Sequence, residues 1–148
     1  MPQHLSKALR RLGGLAVAAA LLVGMLITVA VYASPLALVG DISTVAGTTA
    51  GFSGDGEPAT SAQLNAPRAI AVDSADNLFI ADSLNSRVRK VVVTTGIITT
   101  VAGGGATLGD GGPAISAHLS NVSGVAVDST GNLFIADPGY DRIRKVVP

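Results

Sequence analysis

Cysteine is missing from all 148 residues. That excludes disulfides, thiolate metal sites, a cysteine nucleophile and a bacterial lipid-attachment cysteine. Tryptophan is also absent, and three Phe and two Tyr are the whole aromatic complement. Any core must therefore be filled by smaller aliphatic side chains. His4 and His118 are the two histidines, too few for zinc sites of the usual histidine type. A basic surplus is lacking as well. Formal charge is zero, and from residue 34 onward seven Arg/Lys face ten Asp/Glu, a balance of −3. Phosphate neutralisation dominates nucleic-acid affinity, so no nucleic-acid partner is expected. No Gly-x-Ser-x-Gly elbow occurs. The glycines at 103–105 lead into no helix start, so a phosphate cradle is unsupported.

Charge is also absent from Leu12 to Gly40, with the densest apolar part at Leu15–Tyr32. An uncharged run of about 20 residues can cross a hydrocarbon core as a helix. Lys7, Arg10 and Arg11 precede it and should stay cytoplasmic, so the rest of the chain is expected to be extracytoplasmic (periplasmic, secreted or cell-surface). Residues 1–40 read in two ways. They are a signal peptide cut after Ala33, or a signal-anchor transmembrane helix that holds the chain in the membrane through residues 12–34. Arg10-Arg11 lacks the neighbours of a twin-arginine signal.

What is abundant is self-similarity. Ile42-Ser-Thr-Val-Ala-Gly47 returns as Ile98-Thr-Thr-Val-Ala-Gly103, and Gly54-Asp-Gly-Glu-Pro-Ala59 returns as Gly109-Asp-Gly-Gly-Pro-Ala114. Aligned at an offset of 55, residues 54–92 and 109–147 agree at 23 of 39 positions, which only internal duplication explains. The repeat region is expected at 41–148, with units of about 42–97 and 98–148.

Each unit reads as short strands separated by turns. Arg68–Val72 closes on the turn formers Asp73-Ser-Ala-Asp-Asn77. Leu78-Phe-Ile-Ala is an apolar run of strand length, with both faces expected to be buried. After a turn at Ser83–Ser86, the run from Arg87 to Val93 is rich in β-branched residues, which suit a pleated surface. A turn at Thr94–Gly96 leads to a last strand at Ile97–Ala102, and a Gly/Pro-rich connection spans Gly103–Pro113. The expected strands are one last-strand segment at Ile42–Ala46, a full set over Arg68–Ala102, and three strands over Ser123–Val147. Antiparallel meanders recurring at this spacing are the pattern of propeller blades.

The succession of apolar-Ala-Val-Asp, Asn-Leu-Phe-Ile-Ala-Asp and Arg-apolar-Arg-Lys-Val resembles NHL repeats. The Thr-Val-Ala-Gly and Gly-Asp-Gly-x-Pro-Ala elements resemble those of bacterial secreted or membrane-anchored NHL proteins and of teneurin-like propellers. The resemblance covers residues 42–148. It implies an all-β fold: a partial β-propeller of about two four-stranded antiparallel blades, here behind an N-terminal hydrophobic helix. Family propellers close with more blades than this. Open faces and edges therefore imply further blades or self-association.

The candidate site residues are those of the repeat signature. Asp55, Asp73 and Asp82 recur as Asp110, Asp128 and Asp137, and Arg87 and Arg89 recur as Arg142 and Arg144. A carboxylate ring could hold a metal. Repetition favours bracing instead, because a site needs one asymmetric constellation and a scaffold needs the same brace in each unit. Asp73–Asn77 fails as a calcium loop, since Ala75 and Leu78 break the pattern. The arginines are expected to pair with Asp82 or with carbonyls of the neighbouring unit. Asn121-Val-Ser123 is a glycosylation sequon by pattern.

The expectation is an extracytoplasmic, non-enzymatic binding scaffold with a protein or glycan ligand and no catalytic residue, cofactor or metal. It would touch a membrane only if the leader is retained. The alternative is a fragment of a lactonase- or lyase-like propeller enzyme with a metal in its central channel.

Overall fold

Turn chemistry sets the strand boundaries. In the computed structural model, which describes residues 40–148, Oδ1 of Asp73 accepts the backbone N–H groups of Ala75 and Asn77, both at 2.9 Å. This folds β1 (Pro67–Val72) onto β2 (Leu78–Asp82). A single 3-10 turn at Ser83–Asn85, closed by Ser86 in the left-handed region, leads into β3 (Arg87–Val92). Gly96, also at positive φ, donates to the carbonyl of Val92 at 2.8 Å and starts β4 (Ile97–Gly103). The four strands form one antiparallel sheet in the order β1-β2-β3-β4. The pattern recurs in β5 (Gly124–Val127), β6 (Leu133–Asp137) and β7 (Arg142–Val146), a three-stranded antiparallel sheet. The expected signal peptide or membrane-spanning helix falls on residues outside the described ones.

The core lies between the sheets and behind the first one. Side chains alternate along β2. Phe79 and Ala81, with Val88 and Ala102, face the second sheet and meet Leu119, Val122, Leu133 and Ile135. Ile80, Val91 and Ile98 face the other way, onto Ala59, Ala62 and Leu64 of the connection that precedes β1. Both faces of β2 are thus covered, as the apolar run predicts, while Ile70 and Val72 of β1 stay exposed on the rear. In β6 burial alternates instead: Leu133 and Ile135 face the first sheet, while Phe134 and Ala136 are only half-buried on the open side. With few aromatics, interdigitated Ala, Val, Ile and Leu fill this core.

Two differences from the sequence reading stand out. Ile42–Ala46 is not a strand, and Ile42 is fully exposed. Its twin, β4, is extended because β3 supplies the hydrogen bonds; among the described residues no strand lies beside 42–46. Short 3-10 turns also occur at Ala59–Ser61 and Ala114–Ser116, within what reads as plain connection.

Ile135 is buried to 1% exposure between the sheets. Ile135→Ala should therefore cost about 2–5 kcal/mol in urea denaturation, whereas Ile143→Ala on the open face should stay within about 0.5 kcal/mol. Gly103 has φ +85, and a Cβ there would strike the carbonyl of Ser86 and lie 3.0 Å from Cα of Arg87. Gly103→Ala should accordingly lower the urea midpoint more than a change at Gly56, where nothing lies within 4 Å.

Candidate functional site

Arg89 sits in the middle of β3, opposite Ile80, with its side chain wholly excluded from solvent. A buried guanidinium must have its donors answered. Nε and Nη2 reach Oδ1 of Asp55 at 3.2 and 2.8 Å, Nη2 donates to the carbonyl of Ser53 at 3.1 Å, and Nη1 donates to that of Gln63 at 3.4 Å. Asp82 lies on the other side, its Oδ2 3.6 Å from Nη1. Asp82 is itself committed elsewhere: Oδ1 accepts the N–H of Asn65 at 2.7 Å and Oδ2 accepts the amide of Asn85 at 2.8 Å. The hydroxyl of Thr100 donates to the second oxygen of Asp55 at 2.7 Å. Arg87 forms no ion pair among the described residues, and its guanidinium lies 3.9 Å above the ring of Phe52. The cluster therefore clamps the connection 51–65 to the sheet.

The second unit repeats this arrangement with fewer partners. Arg144 Nη2 binds Asp110 at 2.7 Å and the carbonyl of Leu108 at 2.7 Å, while its Nη1 lies 3.7 Å from Asp137. Arg142 reaches Asp110 at 3.2 Å, and Oδ1 of Asp137 accepts the N–H of Ser120 at 2.7 Å. Asn85 is replaced by Tyr140, so Oδ2 of Asp137 lacks the amide that Asp82 receives, and Nη1 of Arg144 lacks a contact like the one Nη1 of Arg89 makes with the carbonyl of Gln63. Asp110 is also more open than Asp55, its side chain 68% against 39% exposed.

The third acid of each unit stays apart from these clusters. The side-chain amide of Asn77 is the main influence holding the Asp73 carboxyl below its ordinary 3.8, helped by the backbone N–H groups of Asn77 and Ala75. Lys90 stands 3.6 Å away. Asp128 is held lower still, first by the side chain of Asn132 and then by that of Thr130. Among the described residues no three His, Asp or Glu side chains converge in a way that could hold a metal ion.

One pair departs from the repeat. His118 and Tyr140 stand where the first unit has Gln63 and Asn85. The Tyr140 hydroxyl and His118 Nδ1 share a hydrogen bond of 2.9 Å, with the rings edge to face at 5.5 Å. His118 is visible in the sequence as a break in the repeat, whereas nothing local in the sequence marks Tyr140 as its partner. Their contact, between residues 22 apart in the sequence, is a product of the fold.

Comparison with known proteins gives concordant matches. Residues 39–108 match the model of the teneurin NHL domain. Mouse teneurin-1 is 34% identical over 56% of this chain and 4% of its own length. A solved structure from Bacteroides thetaiotaomicron, described as a structural genomics protein of unknown function, superposes with a TM-score of 0.58 at 25% identity, over 68% of this chain and 26% of that one. An auxiliary nutrient binding protein from the same organism shares the fold at 24% identity and a TM-score of 0.51, over 68% of this chain and 27% of its own. The chain thus spans about a quarter of the solved structures it resembles and a small part of teneurin-1.

Removing Asp82 strips a buried guanidinium of one counter-charge and leaves the N–H of Asn65 unanswered. Asp82→Ala should cost about 3–5 kcal/mol, while Arg142→Ala, at an exposed pair, should cost under about 1 kcal/mol, both read from urea midpoints. Asp73 and Asp128 ionise more readily in the folded chain than their ordinary value of 3.8. Their contribution is present above that value and disappears as pH falls below it. An Asp73→Ala/Asp128→Ala double variant should therefore lose less of its remaining stability than the parent between about pH 6 and about pH 3.

Proposed function

The chain is a member of the NHL-repeat family, and from that premise we propose that it is an extracytoplasmic binding scaffold without catalysis of its own. Paired sheets hold loops in place, and the loops engage a protein or glycan. The observation that carries this reading is the use to which the repeated ionisable side chains are put. Asp55, Asp82 and Arg89 are spent on each other and on backbone groups of the connection, and Asp73 is spent on its own turn. Residues engaged in that way are braces, and they leave no activated nucleophile or free general base among them.

The variable surface is the loop end that carries His118 and Tyr140. Both are half-buried, and both combine a ring face with polar atoms, a chemistry suited to stacking on a sugar ring or gripping a peptide. Two further facts support the reading. The basic, uncharged-apolar order of residues 1–40 is that of an export signal. One structural relative is named as an auxiliary nutrient binding protein.

Alkaline phosphatase fused after Pro148 should be active in a bacterial host; an inactive fusion made at normal levels would contradict export. Fluorescently labelled chain should bind discrete spots on glycan and extracellular-protein arrays, and His118→Gln/Tyr140→Asn should reduce that signal while leaving the urea midpoint nearly unchanged. Turnover of ester or lactone substrates that a chelator abolishes would instead make the chain part of an enzyme.

A further inference from the structure

Of the signature arginines, all but one hold an acid. Arg89 binds Asp55 at 2.8 Å, Arg144 binds Asp110 at 2.7 Å, and Arg142 shares Asp110 at 3.2 Å. Arg87 is the exception, with neither an ion pair nor a hydrogen bond among the described residues. Asp55, the counterpart of Asp110, is occupied on both oxygens, one by Arg89 and the other by the hydroxyl of Thr100.

Arg87 is nevertheless held in place. Its Cζ lies 3.9 Å from the centre of the Phe52 ring, and a Cβ at Gly104 would fall on the guanidinium itself. A ring stacks on the face of the planar ion and leaves its N–H edge open. That edge is fixed in direction by stacking and is not neutralised. It is the fork that receives a carboxylate through two parallel hydrogen bonds.

The strand register puts Arg87 in one row with Pro67, Asp82 and Gly103, at the end of the sheet where the Ser83–Asn85 turn lies. Arg68 follows Pro67 at this end, is exposed, and forms no ion pair among the described residues. Exposed acids gather at the opposite end. Asp76 and Asp128 lie in the turns after β1 and β5, and the backbone of Glu57 pairs with Ile98 near the start of β4. Asp141, which follows Tyr140, is an exposed acid on the same side as Arg87, in the second unit. A chain in which acids outnumber bases from residue 34 onward thus turns two unpaired arginines towards one end. His118 and Tyr140 belong to that end too. Gly104 lies against Arg87, and the N–H of Gly105 donates at 3.0 Å to the carbonyl of Ala117, the residue before His118.

We propose that this end binds an acidic glycan, with the carboxylate of a uronic acid residue on the fork of Arg87 and the neighbouring sugar on His118 and Tyr140. The inference rests on the scaffold reading and names the ligand that reading leaves open. Rings with polar edges match a pyranose, which has an apolar face and a rim of hydroxyls. An extended acidic peptide would be held by main-chain pairing to a free strand edge. Arg87 lies on β3, an inner strand paired on both sides by β2 and β4.

The test is calorimetric titration of the full chain in a mild detergent. Tri-galacturonate should bind; its methyl ester, which keeps the rings and lacks the charge, and a short glutamate peptide should not. Arg87→Ala should weaken the binding about 10- to 100-fold. Arg87→Lys keeps the charge, loses the fork, and should weaken it about 10-fold with an unchanged urea midpoint. Arg142→Ala, whose guanidinium is already on Asp110, should bind like the parent. No binding of tri-galacturonate, equal binding of the ester or of the peptide, or a folded Arg87→Lys variant that binds like the parent would each overturn the proposal. Binding of neutral sugars or proteins that depends on His118 and Tyr140 and ignores Arg87 would overturn it too, while leaving the scaffold reading in place.

Discussion

A guanidinium sealed from water decides how the first unit is put together. Arg89 cannot remain where β3 places it unless Asp55, Asp82 and two main-chain carbonyls surround it. Those carbonyls belong to Ser53 and Gln63, so the connection before β1 is drawn across the rear of the sheet. Once there, it brings Ala59, Ala62 and Leu64 down on Ile80 and Ile98. The ionic cluster and the apolar packing therefore depend on the same fold of the connection. A hydrophobic replacement of the charges would not by itself be less stable, but it would lose the directional contacts that fix where the connection lies.

The second unit shows what the clamp looks like with fewer restraints. Its connection keeps the Arg144–Asp110 contact, yet Tyr140 withdraws the amide that Asn85 gives to Asp82. Thr107 stands where Phe52 stacks under Arg87. The loop end is thereby relieved of one constraint at a time. Its side chains become His118 and Tyr140, bonded to each other instead of to the scaffold. A rigid frame with divergent loops is how repeat proteins generally separate folding from recognition.

Much of the fold could be read from local chemistry. The Asp73 and Asp128 turns, the Thr94–Gly96 turn and the β-branched run after Arg87 each specify their own shape, and the strands lie where they predict. What could not be read depends on distant neighbours. Ile42–Ala46 and Ile98–Ala102 are nearly the same peptide, yet only the second is a strand, because an edge to pair with is supplied by the fold and not by the residues. Asp55 as the main partner of Arg89 lies 34 residues away and follows from the path of the connection. The ligand could not be read, since repetition marks only what the units share.

The two faces of each sheet are unlike: a Phe and Ala side points forward, and a Leu and Ile side points back. Stacking such layers gives the object a direction, like bricks with a stud and a socket. No twofold axis can pass through a joint of that kind. Each added layer presents the same stud again, so growth ends only when rotation from layer to layer carries the last stud round to the first socket. The angle between successive sheets, more than the strength of any single contact, then separates a finite ring from an endless fibre.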